Sequence, residues 1–347
     1  MRRLLFLLLI ACSSVVGCSD NVDIGLVVEQ LQAQTEQSTV QTTLPPEVLE
    51  AMKFQADKMD KQLKNILTIA DRHIENPEIV EHWKQKKQQV LKKGLPDIDF
   101  HALQKAFYTK YIDAGGIAIV SPDKVKDVFL LAARDAILVM TSKFPELRER
   151  LLAKHGRFYM ILVKDPKDLR DIPEMQLNNS VINDTEYRYS GACSKNTGFE
   201  VEGEIADYVR GYCFAHVHER SACPPLNIFI HEFAHALEWE MEYLKPGIRD
   251  RIKEAYDQMI AEFGEEAKSK YHMAVAPHEY FAVGVEWWFR NLSWSEKLIE
   301  EHPMLAELLA EWFPRVECSM DWDLIITESG ITEAVYDSIS WKLVDDE

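Results

Sequence analysis

The stretch from Ile228 to Glu238, IFIHEFAHALE, constrains the fold more than any other, because it sets two histidines in a strongly apolar run. In an α-helix, residues four apart lie about 40° from each other around the axis, so His231 and His235 share one face. Phe229, Phe233 and their neighbours make the helix apolar on several faces, which is typical of a buried helix. Buried imidazoles need polar partners, and a metal ion would supply one for each. The sequence therefore predicts a buried helix with a metal-binding face.

Glu232 follows the first histidine and completes a His-Glu-x-x-His string. It is rotated about 100° from His231, which keeps its carboxylate off the ion but close enough to take a proton from a metal-bound water. Neutral imidazoles suit zinc. By chance such a string arises in roughly one chain per hundred of this length, so it needs support from the rest of the sequence.

A catalytic zinc site also needs a third protein ligand and an open position for water. Downstream, Glu279 and Glu286 are seven residues apart and lie on nearly the same helical face, so one can bind and the other can support. Glu238, three residues after His235, is placed either to orient a ligand histidine or to be a solvated helix carboxylate.

HEFAH followed some forty residues later by Glu279-Tyr280-Phe281-Ala282 resembles the gluzincin metallopeptidases related to anthrax lethal factor and to Mlc titration factor A. The resemblance implies that Glu279 is the third ligand of one Zn²⁺ ion, with Glu286 behind it. It also implies a zincin-type domain that hydrolyses peptide bonds as an endopeptidase, with Glu232 activating the zinc-bound water. It extends from Tyr108 to about Pro314, and residues 19–107 lie outside it.

The sequence departs from this family at the residue expected to stabilise the oxyanion. In lethal-factor-like enzymes a tyrosine lies seven residues before the third ligand, whereas position 272 here is histidine and the nearest tyrosine is Tyr271. Either Tyr271 or His272 is therefore the candidate donor to the oxyanion. This departure does not affect zinc binding but does concern catalytic power.

The first residues have the pattern of an export signal. Arg2-Arg3 precedes a short apolar run, which ends in Val15-Val16-Gly17-Cys18 and resembles the lipobox of bacterial lipoproteins. Cleavage before Cys18 would leave a lipid-bearing N-terminus; the alternative is an ordinary signal peptide with an incidental cysteine. Ser19 favours the outer over the inner membrane. The prediction is an envelope protein held by lipid on the periplasmic or external face.

Most of the remaining cysteines and two further histidines lie in the segment before the HEFAH helix. Four cysteines remain after Cys12 and Cys18: Cys193, Cys213, Cys223 and Cys318. In an oxidising compartment they can form two disulfides in three connectivities, with at least one bridge expected within residues 193–223. A structural zinc site from these thiols is the alternative. His216 and His218 alternate as on a strand and are either a second metal site or polar strand residues.

Composition limits the possible partners and indicates how the N-terminal part of the chain is organised. The chain has 347 residues, 47% of them hydrophobic, and a formal net charge of −18, which argues against a nucleic-acid partner. Residues 18–46 are rich in glutamine, threonine and serine, which indicates a flexible tether after the signal peptide of residues 1–17. Apolar spacings of three and four then predict a helical segment over residues 47–106.

Residues 107–347 are predicted to form the metallopeptidase-like domain. Short apolar runs at 117–120 and 157–163 and glycine-broken runs within 187–217 indicate strands, and helical periodicity covers 125–154, the HEFAH segment, 248–263, 278–291 and 304–313. The fold class is α+β, with a small mixed sheet and a helix-rich C-terminal half. The predicted partners are a protein or peptide substrate and a membrane. Two alternatives remain: a zinc-binding lipoprotein of weak or no activity that acts in binding or assembly, and a zinc amidase acting on wall material.

Overall fold

The computed structural model describes the chain over residues 39–69, 77–155, 158–164, 171–177, 191–193, 200–201, 204–205, 212–216, 226–327 and 330–343. The predicted signal peptide, Cys18 and most of the predicted tether lie outside these residues, as do Cys223 and His218. Within the described part, no helix has both the length and the apolar character needed to cross a membrane.

Helices make up most of the described part of the chain. In chain order they are α1 (Pro46–Ile69), α2 (Pro77–Lys92), α3 (Phe100–Phe107), α4 (Asp127–Met140), α5 (Glu146–His155), α6 (Asn227–Leu244), α7 (Ile248–Phe263), α8 (Ala267–Lys270), α9 (Pro277–Arg290), α10 (Leu292–Glu301) and α11 (Pro303–Trp312). Short 3-10 helices lie at Leu95–Asp97, Pro173–Met175 and His272–Ala274.

The strands are β1 (Lys110–Ala114), β2 (Ile117–Ser121), β3 (Tyr159–Val163), β4 (Gly191–Cys193), β5 (Glu200–Val201), β6 (Glu204–Ile205), β7 (Tyr212–His216), β8 (Val316–Thr327) and β9 (Gly330–Leu343). Five of them form one sheet in the order β1-β2-β3-β7-β4. The β2-β3 and β3-β7 pairs are parallel, and the two outer pairs are antiparallel. This mixed sheet beside many helices confirms the α+β class.

Successive side chains along each strand point to opposite sides of the sheet, and both faces are buried. Ile119, Met160 and Leu162 point into the main core, which also contains the apolar side of α6. Val120 and Ile161 point the other way, into a second apolar cluster. The sheet is therefore a central layer that supports α6 from one side.

The N-terminal helical segment covers the second face of the sheet. Val48 and Met52 of α1 pack in the same cluster as Val120 and Ile161. The main chain of Gln41 also pairs with Tyr111 of β1. Because α1 buries one face of the sheet, it packs as a layer of the same fold.

A buried carboxylate joins this helical layer to the sheet. Glu174 Oε1 accepts a hydrogen bond of 2.8 Å from Gln104 Nε2 and another from the Tyr159 hydroxyl, and Oε2 accepts one of 2.5 Å from the Tyr108 hydroxyl. Burial raises the pKa of Glu174, while these hydrogen bonds act in the opposite direction. Three donors from two segments, α3 with its C-cap and β3, thus converge on one side chain.

Replacing Glu174 by Ala is expected to lower the free energy of unfolding by about 3 kcal/mol, because three buried donors lose their acceptor. Urea unfolding followed by circular dichroism measures this loss. Glu254→Ala, at an exposed position of α7, is the control and should change the value by less than about 0.5 kcal/mol. Equal unfolding midpoints for the two variants would contradict a structural role for Glu174.

Two features differ from the sequence prediction. The helical pattern over residues 125–154 is interrupted after Met140, and α4 and α5 are separate helices. Pro145, which disfavours helical backbone in the residue before it, directly precedes α5. The long antiparallel hairpin of β8 and β9, which follows the helices of the C-terminal half, was not predicted. Gly330, at the start of β9, follows a serine, and the two residues lie between runs rich in β-branched and aromatic residues. This pattern is typical of a hairpin, and a search for helical periodicity does not detect it.

The structure describes the side chains of two of the four cysteines, Cys213 and Cys318. Cys213, buried in β7, takes part in a disulfide bond whose partner lies beyond the side chains that the structure describes. Cys318 is buried at the start of β8 and keeps its thiol outside any disulfide. Cys193 and Cys223, whose side chains lie outside the described part of the chain, remain candidates for the bond with Cys213. Cys193 is the register partner of Cys213 between β4 and β7.

Candidate functional site

The site is built on α6, which the core surrounds. All residues from Phe229 to Met241 on this helix are buried, including His231 and His235, whose exposed fractions are 6% and 4%. The helix ends before Pro246-Gly247, where Gly247 adopts a left-handed φ of 97° that suits glycine. The two imidazoles are therefore held on a rigid element, one turn apart.

The third group of the site is a carboxylate from α9, which packs along α6. Pro277 occupies the first turn of α9, a position that needs no backbone donor, and Glu279 lies in the same turn. Gly284, one turn further on, allows α9 to approach α11, since a Cβ there would collide with Leu305. This close packing fixes the end of α9 opposite the two histidines.

Three side-chain atoms meet at one point between α6 and α9, and together they form the ligand triangle. His231 Nε2 lies 3.2 Å from His235 Nε2 and 3.2 Å from Glu279 Oε2, and His235 Nε2 lies 3.3 Å from the same carboxylate oxygen. In a tetrahedral site with ligand bonds of about 2.0–2.1 Å, neighbouring ligand atoms are about 3.3–3.4 Å apart. The ligand triangle therefore has the dimensions that a small tetrahedral ion requires.

Two further histidines lie beside the ligand triangle. His272 Nε2 is 3.0 Å from Glu279 Oε2, and the ligand atoms of His231, His272 and Glu279 all lie within 4.8 Å of one another. His278 Nε2 is 3.3 Å from the other carboxylate oxygen, Glu279 Oε1. The His272 side chain is 64% exposed, whereas those of His231 and His235 are 7% and 5% exposed. Three buried or nearly buried groups thus form the better ligand set, and His272 lies at the solvent side.

Two further carboxylates, Glu286 and Glu238, lie near the ligand triangle. Glu286 Oε2 lies 3.9 Å from His231 Nδ1, on the side of the ring away from Glu279, and Glu286 Oε1 accepts a hydrogen bond of 3.3 Å from Asn227 Nδ2. Glu238 accepts a hydrogen bond of 3.1 Å from Arg249 Nε. Glu286 is therefore placed where a carboxylate orients a ligand imidazole, and the described contact of Glu238 joins α6 to α7.

The site concentrates negative charge around two imidazoles. Burial alone raises the pKa of Glu279, but hydrogen bonds from His231, His235 and His278 outweigh it and hold that pKa far below its usual range. Burial alone lowers the pKa of His231, but the hydrogen bond with Glu279 and the charges of Glu232, Glu279 and Glu286 raise it above its usual value. Carboxylates in this number attract a cation, and a divalent ion satisfies them without extra protons.

The structure brings together most of the residues that the sequence singled out. His231, His235 and Glu279 form the ligand triangle, and Glu286 lies behind it. Glu232 is buried on α6, with 7% of its surface exposed. Of the two candidates for the oxyanion, His272 reaches Glu279, while Tyr271 is 58% exposed. His216 lies at the end of β7, and the side chains of the His216 and His218 pair are outside what the structure describes.

His278 was missed by the sequence analysis. It directly precedes Glu279, and a helix turns residues one apart by about 100°, so spacing alone gives no reason to place it at the site. The side chain of Glu279 turns one oxygen back toward it. A histidine next to a candidate ligand was the available signal.

Comparison with known proteins yields only a distant structural likeness. No family model matches the chain, and no curated protein matches it. A solved structure of the Pro-Pro endopeptidase PPEP-2 from Paenibacillus alvei is similar over 56% of this chain and 97% of its own, with 16% sequence identity and a TM-score of 0.34. So distant a likeness says nothing about the site, and the functional argument depends on the geometry described above.

Proposed function

We propose that this chain is a zinc-dependent endopeptidase whose ion is held by His231, His235 and Glu279. The observation that carries the proposal is the ligand triangle, with sides of 3.2, 3.2 and 3.3 Å, whose two histidines lie on the same helix as Glu232. Two imidazoles and one carboxylate are the donor set of hydrolytic zinc sites, which leave one position open. Softer metals prefer thiolates, and magnesium and calcium prefer oxygen ligands alone.

Three side chains besides the zinc ligands have separate roles in the proposed hydrolysis. A bound zinc ion would polarise the scissile carbonyl and make water acidic enough to attack it near neutral pH. Glu232 takes the proton from the attacking water and gives it to the leaving amine. His272, at the solvent side of Glu279, donates a hydrogen bond to the oxyanion that forms. Glu286 keeps the His231 ring oriented.

The proposal is tested by incubating the purified protein with a diverse peptide library and identifying cleaved bonds by mass spectrometry. Cleavage inside peptides is expected with zinc, loss of cleavage after chelation, and recovery when zinc is restored. Zinc binding without cleavage of any peptide would contradict a peptidase and favour a binding or assembly role. Cleavage confined to cell-wall fragments would contradict it in favour of an amidase.

We also propose that the protein is exported and held in the envelope through lipid on Cys18. The support is the sequence alone, since residues 1–38 lie outside the described structure. Labelling cells with an alkyne analogue of palmitate is expected to mark the wild-type protein and not Cys18→Ser. Equal labelling of both proteins, or of neither, would contradict the lipid anchor.

Replacing His272 by Ala is expected to lower kcat about 10²-fold with little change in KM, because one oxyanion donor is removed while zinc stays bound. Steady-state kinetics and zinc content are measured together. Tyr271→Phe is the matched variant: it removes the hydroxyl of the other candidate and should leave kcat within about twofold. The reverse pattern would assign the donor to Tyr271.

A further inference from the structure

We propose that His278 is a positioning residue that makes Glu279 bind the ion through one oxygen only. This inference depends on the proposed function, since it concerns the ligand set of the same zinc site. The two oxygens of Glu279 have different neighbours: Oε2 faces His231, His235 and His272, whereas Oε1 lies 3.3 Å from His278 Nε2. Oε2 therefore faces the position of the ion, and Oε1 faces His278.

The contact with Oε1 decides how many positions around the ion stay open. A carboxylate that turns both oxygens to zinc adds a ligand and fills the position needed by water or substrate. An N–H donated by His278 to Oε1 holds that oxygen away from the ion. His278 therefore preserves the open position that hydrolysis requires.

His278 is well placed for this task because its surroundings restrict it. Its side chain is 34% exposed, and its ring centroid lies 5.6 Å from that of His235. Pro277 fixes the start of α9 immediately before it. Hydrogen bonds to ligating carboxylates and imidazoles commonly change metal affinity 10- to 100-fold when removed.

Two substitutions distinguish the effect of the His278 ring from the effect of its N–H donor. His278→Phe keeps a planar ring and removes the N–H, whereas His278→Gln keeps an N–H donor that reaches about as far as Nε2. Zinc affinity, measured by competition with a chromogenic chelator, is expected to fall about 10- to 100-fold in His278→Phe and to return to within about threefold of wild type in His278→Gln.

Cobalt substitution provides a readout that fold stability does not affect. Visible bands of Co²⁺ weaken and shift as its coordination number rises, and His278→Phe is expected to show this change while wild type and His278→Gln share one spectrum. Wild-type affinity and an unchanged cobalt spectrum in His278→Phe would overturn the proposal.

The wild-type protein reports on the proposed function separately. Wild type that binds zinc but cleaves nothing contradicts the peptidase, and the affinities and spectra of the variants still decide the role of His278. Wild type that binds neither zinc nor cobalt overturns both.

Discussion

Replacing Glu232 by Gln is expected to lower kcat/KM about 10³-fold or more while zinc content and thermal stability stay at wild-type levels. The amide is nearly the same size as the carboxylate but cannot accept the proton of the attacking water. Glu232 is buried beside His231 and is not part of the ligand triangle, so the metal centre should persist. Kinetics on a cleaved peptide, zinc analysis and a melting curve on the same preparation check the three parts of this expectation.

Glu254→Gln is the control for the loss of one negative charge, because Glu254 is exposed on α7. Its kcat/KM should remain within about twofold of wild type. Glu232→Gln with activity within tenfold of wild type would contradict a general-base role. Loss of zinc or of fold in Glu232→Gln would instead assign Glu232 a structural role.

Replacing Glu279 by Ala is expected to remove both zinc binding and zinc-dependent stability. An ion that binds only the folded state stabilises it by about 4 kcal/mol at a free concentration of 1,000 Kd. Wild type should gain this stability on adding zinc, whereas Glu279→Ala should gain almost none at the same zinc concentration, because one of the three ligands is missing. Chemical unfolding with and without zinc gives the difference directly.

Glu286→Ala is the matched variant, since it removes a carboxylate that lies behind His231 and does not reach the ligand triangle. Its zinc affinity should fall about 10- to 100-fold, and higher zinc concentrations should restore the stabilisation. Equal zinc-dependent stabilisation of Glu279→Ala and wild type would show that Glu279 is no ligand. Wild-type affinity in Glu286→Ala would show that this carboxylate does not orient His231.

Local patterns in the sequence predicted the parts of the fold that depend on neighbouring residues. The stripe of apolar residues along α1, the apolar strand β3 and the buried helix with His231 and His235 all follow from spacing within one element. The α+β class follows from their order. The pair of histidines was accessible for the same reason: a helical period of 3.6 places them on one face wherever the helix lies.

Contacts between distant segments could not be predicted in this way. The sharing of Glu174 by Gln104, Tyr108 and Tyr159 depends on how α3 and the sheet pack, and no spacing encodes it. The choice between Glu279 and Glu286 had to come from a family resemblance, because both lie on one helical face. Their distances to His231 separate them: Glu279 Oε2 faces Nε2 at 3.2 Å, and Glu286 Oε2 faces Nδ1 at 3.9 Å.

The central claim is tested most directly by X-ray diffraction from crystals grown with zinc, recorded on both sides of the zinc absorption edge. The account predicts an anomalous peak about 2.0–2.2 Å from His231 Nε2, His235 Nε2 and Glu279 Oε2, with one coordination position left free by the protein. A zinc-containing crystal with no peak at the ligand triangle, or with the ion held by His272 in place of His235, would contradict it.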